Sequence, residues 1–183
     1  MIPKNTAKLM RFLLRDMSKY GYNVNQVARH LKISVGSSFK ILKELEKNKI
    51  VNAESIGNAV NYNLNLENPE TSKICELLLL EEKRQLNGYP KIYSEFLQEF
   101  KKAELIILFG SVLTKKEFND VDVLFVTNKF KEVNDFCLEL SKIRTKPVVP
   151  LILKKEAILS LVKEGIILKG ESVFIEVIKN AKK

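Results

Sequence analysis

Apolar residues in the first third of the chain recur every three or four positions, which is the spacing of amphipathic helices. The first stripe comprises Leu9, Phe12, Leu13, Met17 and Tyr20. Gly21 follows this stripe and is expected to end the helix. A second helix carries its apolar face on Val24, Val27, Ala28 and Leu31. Asn23 is placed to cap it, with Gln26 in position for the reciprocal hydrogen bond.

A third helix follows a short turn, and Ser34 is expected to cap it. Its inward positions are Ser38, Ile41, Leu42 and Leu45. Residues 50–55 and 60–66 are strand-like runs, and Gly57-Asn58 between them suits a tight hairpin turn. The first third of the chain is therefore predicted to form three helices and a hairpin.

A longer helix is predicted from Asn68-Pro69, where proline suits the first turn, to about Asn87-Gly88. It contains four consecutive leucines, Leu77 to Leu80, which cannot all face one small domain. Two arrangements remain open for this connector helix. Either a domain packs on each side of it, or it pairs with its copy in a homodimer.

Beyond the connector, Tyr89-Pro90 opens a helix whose predicted inward residues are Ile92, Phe96, Leu97 and Phe100. The run "ELIILFG", residues 104–110, is almost entirely apolar and is expected to be a strand buried on both faces. Gly110 lets the chain turn at the end of this strand, and Ser111 begins a short helix. A second apolar strand opens with Asp120-Val121-Asp122.

Composition is typical of a folded globular protein, since 45% of the 183 residues are apolar and 29% are charged. The apolar runs are too short to cross a bilayer, and the first residues lack the apolar core of a signal peptide. We therefore expect a cytoplasmic protein without membrane contact. Cys75 and Cys137 lie within apolar helical patterns and are expected to be buried thiols, not a disulfide or a metal pair.

The net charge of +9 is unevenly distributed along the chain. Residues 1–66 hold 11 Lys and Arg against 4 Asp and Glu, whereas residues 67–183 hold 20 against 18. A basic excess concentrated in the first third points to a polyanion bound there.

The stretch "VNQVARHLKISVGSSFKILKELEKNKIV", residues 24–51, resembles the winged helix-turn-helix family. The resemblance implies that residues 1–67 bind duplex DNA, with the third helix in the major groove. The candidate contacts on the outward face of that helix are Ser34, Val35, Gly36, Ser37, Phe39, Lys40 and Lys43. The lysines would meet phosphates, and Ser37 a base edge or a phosphate. Further candidate contacts in the hairpin are Asn58, Asn61 and Tyr62.

Two alternatives stay open for this first domain. Phe39 is expected either to touch a thymine methyl group or to pack on the wing. The domain as a whole is expected to bind DNA, although a winged helix is also used for protein contacts. Winged helices often dimerise through a trailing helix, which favours the homodimer.

The spacing of Asp120 and Asp122 at the start of a strand points both carboxylates to one face, with Val121 and Val123 on the other. The hydroxyl group and free amides around Ser111 form a candidate anion site. Two carboxylates facing a phosphate suit Mg²⁺, which takes a few carboxylate oxygens and completes its shell with phosphate and water.

This order of elements resembles the minimal nucleotidyltransferases of the DNA polymerase beta superfamily. In that family a strand is followed by Gly-Ser, a short helix and then Asp-x-Asp on a second strand. The resemblance covers about residues 90–183 and implies an α/β (α+β) fold, a mixed sheet flanked by helices. It implies nucleotide phosphates at Gly110 and Ser111, and Mg²⁺ or Mn²⁺ at the catalytic aspartates Asp120 and Asp122. The expected nucleotide is an NTP, ATP first, and the acceptor a hydroxyl group of a protein or small molecule. Small relatives are antitoxins that modify a toxin, so a partner toxin is a further candidate.

One departure from the family pattern bears on catalysis. Active members carry a third acidic residue on a later strand, which corresponds here to residues 146–154 and contains no acid. Pro150 stands about where that carboxylate is expected. The substitutes considered are Glu104, Glu132, Asp135 and Glu156, of which Glu156, just after the strand, is the best placed.

Two functions follow from the sequence. In the first, a DNA-binding enzyme transfers a nucleoside monophosphate to a partner. In the second, a transcription regulator has a catalytically degenerate transferase-like domain that only binds nucleotide or mediates assembly. Both predict a winged domain at 1–67, a connector helix at 68–89 and a nucleotidyltransferase-like domain at 90–183.

Overall fold

The computed structural model describes residues 2–16, 20–144, 146–154, 158 and 164–181. Within these ranges the chain forms eight α-helices and two β-sheets, so the predicted mixed α/β class is confirmed. It divides into two compact units, Met1–Leu78 with Ile178–Lys183, and Leu79–Val177. No helix in the described ranges is both long and apolar enough to cross a membrane.

The first unit begins with three helices and a small antiparallel sheet. These elements are α1 (Lys4–Arg15), β1 (Tyr22–Asn23), α2 (Val24–Leu31), α3 (Val35–Lys47), β2 (Val51–Ile56) and β3 (Ala59–Leu64). The sheet has the order β1-β3-β2, and β3 is antiparallel to both neighbours. The two-residue strand β1 was not predicted, because it is too short to carry an alternating pattern.

Local sequence signals start α2 and α3 where they were predicted. The Asn23 side chain accepts a hydrogen bond from the Gln26 N–H at 3.0 Å, and the Gln26 side chain accepts one from the Asn23 N–H at 2.9 Å. These two bonds form the capping box of α2. Ser34 caps α3 by accepting a hydrogen bond from the Ser37 N–H at 3.1 Å. Gly57, at φ +59°, begins the two-residue turn between β2 and β3.

The first helix is shorter than its apolar stripe predicted. Helix α1 ends at Arg15, and the following Asp16 has an extended backbone. The Asp16 carboxylate accepts a hydrogen bond from the Tyr22 hydroxyl, a contact that helical spacing does not reveal. Tyr20 lies beyond the helix and is 61% exposed, and Met17 lies outside the described residues.

The connector helix α4 spans Pro69–Arg84 and begins at the predicted proline. Among its four consecutive leucines, Leu78 and Leu79 are buried, whereas Leu77 is 56% exposed. Burial within the chain therefore accounts for part of this stripe. A homodimer through α4 stays a prediction, and Leu77 is the leucine most available for it.

After α4 the chain forms α5 (Gly88–Leu97), β4 (Leu105–Phe109), α6 (Ser111–Thr114), β5 (Val121–Val126), α7 (Phe130–Ile143), β6 (Val148–Leu153), β7 (Ile166–Lys169) and α8 (Glu171–Ala181). The four strands form one sheet in the order β6-β5-β4-β7. Strand β4 is antiparallel to β5 and β7, whereas β5 and β6 are parallel. The sheet is therefore mixed, as predicted.

The main apolar core of the second unit contains alternate residues of β5, including Val121 and Val123. Tyr93 of α5 is also part of this core, and its hydroxyl donates a hydrogen bond to the Lys146 carbonyl at 3.2 Å. Ile92 was predicted to face inward but is exposed. Tyr93 takes the inward position instead, because its ring packs in the core while its hydroxyl group finds a backbone partner.

Both cysteines are free and buried, as predicted. Burial raises the pKa of the Cys137 thiol to about 12. The reactive thiolate is therefore scarce at neutral pH, and Cys137 acts as a core residue.

Candidate functional sites

The end of β4 and the start of β5 lie side by side in the sheet. Their antiparallel pairing places Phe109 opposite Asp122. The turn Gly110-Ser111 follows Phe109 directly, so it lies beside the segment from Asp120 to Asp122. All four residues predicted for the nucleotide and metal site are thus brought together.

Gly110 lies against the carboxylate of Asp122. Its φ of +82° and ψ of −156° belong to a backbone region that is essentially restricted to glycine. A Cβ at position 110 would lie 2.1 Å from Oδ2 of Asp122. The backbone conformation therefore favours glycine at position 110, and a Cβ there would in addition force the Asp122 carboxylate to move.

Asp120 and Asp122 are half-buried, while Val121 between them is fully buried, as the alternation predicts. Burial raises the pKa of Asp122, and the neighbouring charge of Asp120 raises it further. Ionising both carboxylates without a counterion is therefore unfavourable. A cation beside them would remove this cost.

The donor set suits a magnesium ion that shares its ligands with a nucleotide. Among the described residues, no group of three or more His, Cys, Asp and Glu side chains is placed to hold a metal. Mg²⁺ needs only one or two carboxylates when substrate phosphates and water complete its octahedron. Asp120 and Asp122 meet that requirement, since they supply two carboxylates beside the Gly-Ser turn.

Strand β6 places an apolar residue level with the carboxylates. In the parallel pairing of β5 and β6, Val149 lies opposite Asp122, and Pro150 lies opposite Val123. Partners in register share a face of the sheet. The residue of β6 level with Asp122 is therefore Val149, and Pro150, one position further on, lies on the other face of the sheet. Val149 is 45% exposed.

The other acidic candidates do not repair this gap. Glu104 precedes β4 and lies at the opposite end of that strand from the Gly-Ser turn. Glu132 lies on α7 and forms an ion pair with Lys102 at 3.6 Å. Asp135 is exposed on the same helix, and Glu156 lies outside the described residues.

A groove of about 400 Å³ opens beside α6. Its lining includes Lys115, Lys116 and Tyr89, and the Tyr89 ring meets the Phe118 ring edge to face at 5.4 Å. Phe118 is two residues before Asp120, so their Cα atoms are at most about 7 Å apart. Sequence analysis missed this groove, because two lysines in a loop have no periodicity that marks them.

The cap and the outward face of α3, in the first unit, carry seven of the residues predicted to contact DNA. Each of them is exposed: Ser34, Val35, Gly36, Ser37, Phe39, Lys40 and Lys43. Lys43 forms an ion pair with Glu46 at 2.8 Å, and this carboxylate raises the pKa of Lys43. Lys40 has no ion-pair partner among the residues that the structure describes, so its charge is the more available for a phosphate.

The hairpin offers fewer contacts than predicted. Asn58 is exposed at the turn, and the half-buried Asn61 donates a hydrogen bond from its amide to the Tyr20 carbonyl at 3.1 Å. Tyr62 is only 1% exposed, so the predicted DNA contact of its side chain is wrong. Leu64 is buried on the same face of β3. The alternation of Tyr62 and Leu64 with polar residues is the sequence signal from which the burial of Tyr62 could have been predicted.

No family model, curated protein or solved structure matches this chain. Function is therefore inferred from the chemistry of the two sites. One site sets a pair of carboxylates beside a glycine turn, and the other presents lysines and apolar side chains on a helix.

Proposed function

We propose that this chain is a DNA-binding protein whose second unit binds a nucleoside triphosphate together with Mg²⁺ or Mn²⁺. The observation that carries the proposal is the close approach of the Gly110 backbone to the Asp122 carboxylate. A triphosphate seated on the Gly-Ser turn would be repelled by Asp120 and Asp122 unless a cation lay between them. The arrangement therefore favours a nucleotide–metal complex over either ligand alone.

The order of elements supports the resemblance to minimal nucleotidyltransferases. Strand β4, the Gly-Ser turn, the short helix α6 and the Asp-x-Asp of β5 follow one another as in that family. In this interpretation Gly110 and Ser111 hold phosphate oxygens, and Asp120 and Asp122 hold the metal. The bound ion would supply positive charge that neutralises the phosphates.

Nucleotide binding is better supported than catalysis. Transfer to a hydroxyl group is helped by a base that accepts its proton, and β6 carries the apolar Val149 level with Asp122. The function that the geometry supports best is therefore that of a transcription regulator that senses a nucleotide.

Transfer of a nucleoside monophosphate is the second candidate, and the groove beside α6 favours it. The lining of the groove begins on α6 at Val112, the residue after Ser111, and presents Lys115, Lys116 and Tyr89 to an acceptor. A protein with an accessible hydroxyl group, such as a partner toxin, or a small molecule would fill this role.

Titration calorimetry with ATP, CTP, GTP and UTP, each with and without Mg²⁺, tests the proposed binding. We expect at least one nucleotide, ATP first, to bind only when Mg²⁺ is present, because the metal offsets the repulsion between phosphates and carboxylates. Transfer of label from the nucleotide to an added protein would favour the second candidate. Absence of binding for all four nucleotides at about 1 mM, a weak affinity for a substrate, would contradict both.

For the first unit, we propose that α3 enters the major groove of duplex DNA. Three helices with the small β1-β3-β2 sheet support the winged-helix interpretation. The excess of 11 basic over 4 acidic residues in positions 1–66 supplies long-range attraction to phosphates. Gly36 and Ser37 near the start of α3 are small enough to let the helix approach base edges closely.

Lys40→Ala is expected to weaken DNA binding by a similar factor on every sequence. It should reduce the slope of log affinity against log salt by about 0.9, the contribution of one phosphate contact. Glu46→Gln is expected to strengthen binding, because it frees Lys43 from its ion pair. Fluorescence anisotropy between about 50 and 200 mM salt measures both effects.

Lys73→Ala is the matched control, since Lys73 is an exposed lysine of the same unit that is paired with Glu76 on α4. It should leave the salt dependence unchanged. If Lys40→Ala and wild type show the same slope, Lys40 does not contact a phosphate.

A further inference from the structure

Two apolar side chains stand on the outward face of α3. Val35 is 51% exposed and Phe39 is 50% exposed, although burial of either would be favourable. They are four residues apart and therefore lie on one flank of the helix. Half of the Phe39 surface remains exposed and is available to a partner.

The residues around this apolar pair limit what can cover it. Lys40 and Lys43 lie beside the pair on the exposed face, and a Cβ at Gly36 would meet no atom within 4 Å. A matching partner therefore carries anionic groups at its margins and small apolar groups between them. Duplex DNA meets this description, because phosphates border the major groove and the C5-methyl group of thymine is the apolar group on its base edges.

We propose that Val35 and Phe39 give the first unit its sequence preference by contacting the methyl groups of two thymines. The inference rests on the proposed DNA binding and names what the binding face recognises. Four residues of a helix advance by about 6 Å. Successive base pairs are about 3.4 Å apart, so the two thymines lie about two base pairs apart.

The division of roles follows from the same face. Lys40 and Lys43 supply affinity for any sequence, because phosphates are the same everywhere. Val35 and Phe39 supply discrimination, because only thymine has a methyl group at this place. An apolar surface of another protein is the competing occupant, and the experiment separates the two.

The experiment begins with selection of a duplex from a random library by the full chain. Each thymidine of the selected site is then replaced singly by deoxyuridine, which removes only the C5-methyl group. We expect affinity to fall about fourfold, the effect of one buried methyl group, at two positions about two base pairs apart. Equal affinity for thymidine and deoxyuridine at every position overturns the inference while leaving DNA binding in place.

Alanine variants assign the two positions. Val35→Ala and Phe39→Ala are each expected to lose the methyl effect at one thymine and keep it at the other, as in a double-mutant cycle. Phe39→Leu keeps an apolar side chain and should retain part of the effect. Tyr20→Ala removes a comparably exposed aromatic ring outside α3 and should retain both effects.

Two results would overturn the assignment to these residues. One is that both alanine variants keep the full methyl effect at both thymines. The other is that the selection enriches no duplex, which overturns the sequence preference; salt-dependent binding of an arbitrary duplex then shows whether the proposed DNA binding itself holds or fails.

Discussion

Gly110→Ala is expected to destabilise the second unit and to abolish Mg²⁺-dependent nucleotide binding. Forcing a side chain into the backbone conformation of Gly110 costs about 1–3 kcal/mol. The new Cβ would also displace the Asp122 carboxylate, because its ideal position is 2.1 Å from Oδ2. Urea unfolding measures the first effect, and titration calorimetry with ATP and Mg²⁺ measures the second.

Gly88→Ala is the matched control, because Gly88 has a φ of +57° and a Cβ there would meet nothing within 4 Å. It should cost about 1–2 kcal/mol from the left-handed backbone alone and leave nucleotide binding intact. The double variant Gly110→Ala with Asp122→Ala separates the backbone strain at position 110 from the steric clash between the new Cβ and the Asp122 carboxylate. The double variant should be more stable than the sum of its single effects predicts, and strict additivity would show that the two residues do not touch.

Asp120→Asn and Asp122→Asn are each expected to abolish Mg²⁺-dependent nucleotide binding without unfolding the protein. In the folded chain the pKa of Asp122 is raised above 3.8, its ordinary value, so ionising it opposes folding. The stabilising contribution of the protonated group is complete below 3.8 and is lost as pH rises through the raised pKa. Without metal, Asp122→Asn should therefore melt at a higher temperature than wild type at neutral pH, and at about the same temperature near pH 3.

Scanning calorimetry with and without Mg²⁺ and ATP shows whether Asp120 and Asp122 bind the metal or are only solvated residues at the end of a strand. At ten times its dissociation constant, the ligand should add about 1.4 kcal/mol to the unfolding free energy of the wild type and nothing to either variant. Glu117→Gln, which removes an exposed negative charge from the preceding loop, should behave as wild type. Equal nucleotide affinity in wild type and both aspartate variants would contradict the proposed metal site.

The parts of the fold that were predicted correctly depend on residues close together in sequence. The Asn23–Gln26 capping box and the Gly57-Asn58 turn each involve no more than four consecutive residues. The end of α1 was missed because Asp16 is tied to Tyr22, six residues further on.

In the candidate metal site, too, only the features set by residues close together in sequence were predictable. The alternation along β5 was enough to predict that Asp120 and Asp122 share a face. Their place beside the Gly-Ser turn was implied only by the family resemblance, and it depends on the antiparallel pairing of β4 with β5. The register of β6 against β5 was not predictable, because helix α7 separates the two strands in sequence and no local pattern sets their alignment. A slip of one residue moves a side chain to the other face of a sheet, so the sequence alone does not tell whether Val149 or Pro150 lies level with Asp122.

Pro150 has a consequence for solubility. It lies on β6, at one edge of the four described strands. The Pro147 carbonyl accepts a hydrogen bond from the Val121 N–H at 2.9 Å, so residues one or three positions further along present their backbone to the free edge. Pro150 has no N–H to offer an incoming strand there, which hinders aggregation by sheet extension. An attempt to introduce a third acid beside Asp122 should therefore replace Val149, since Pro150→Asp would put the carboxylate on the other face and give the free edge an N–H donor for an incoming strand.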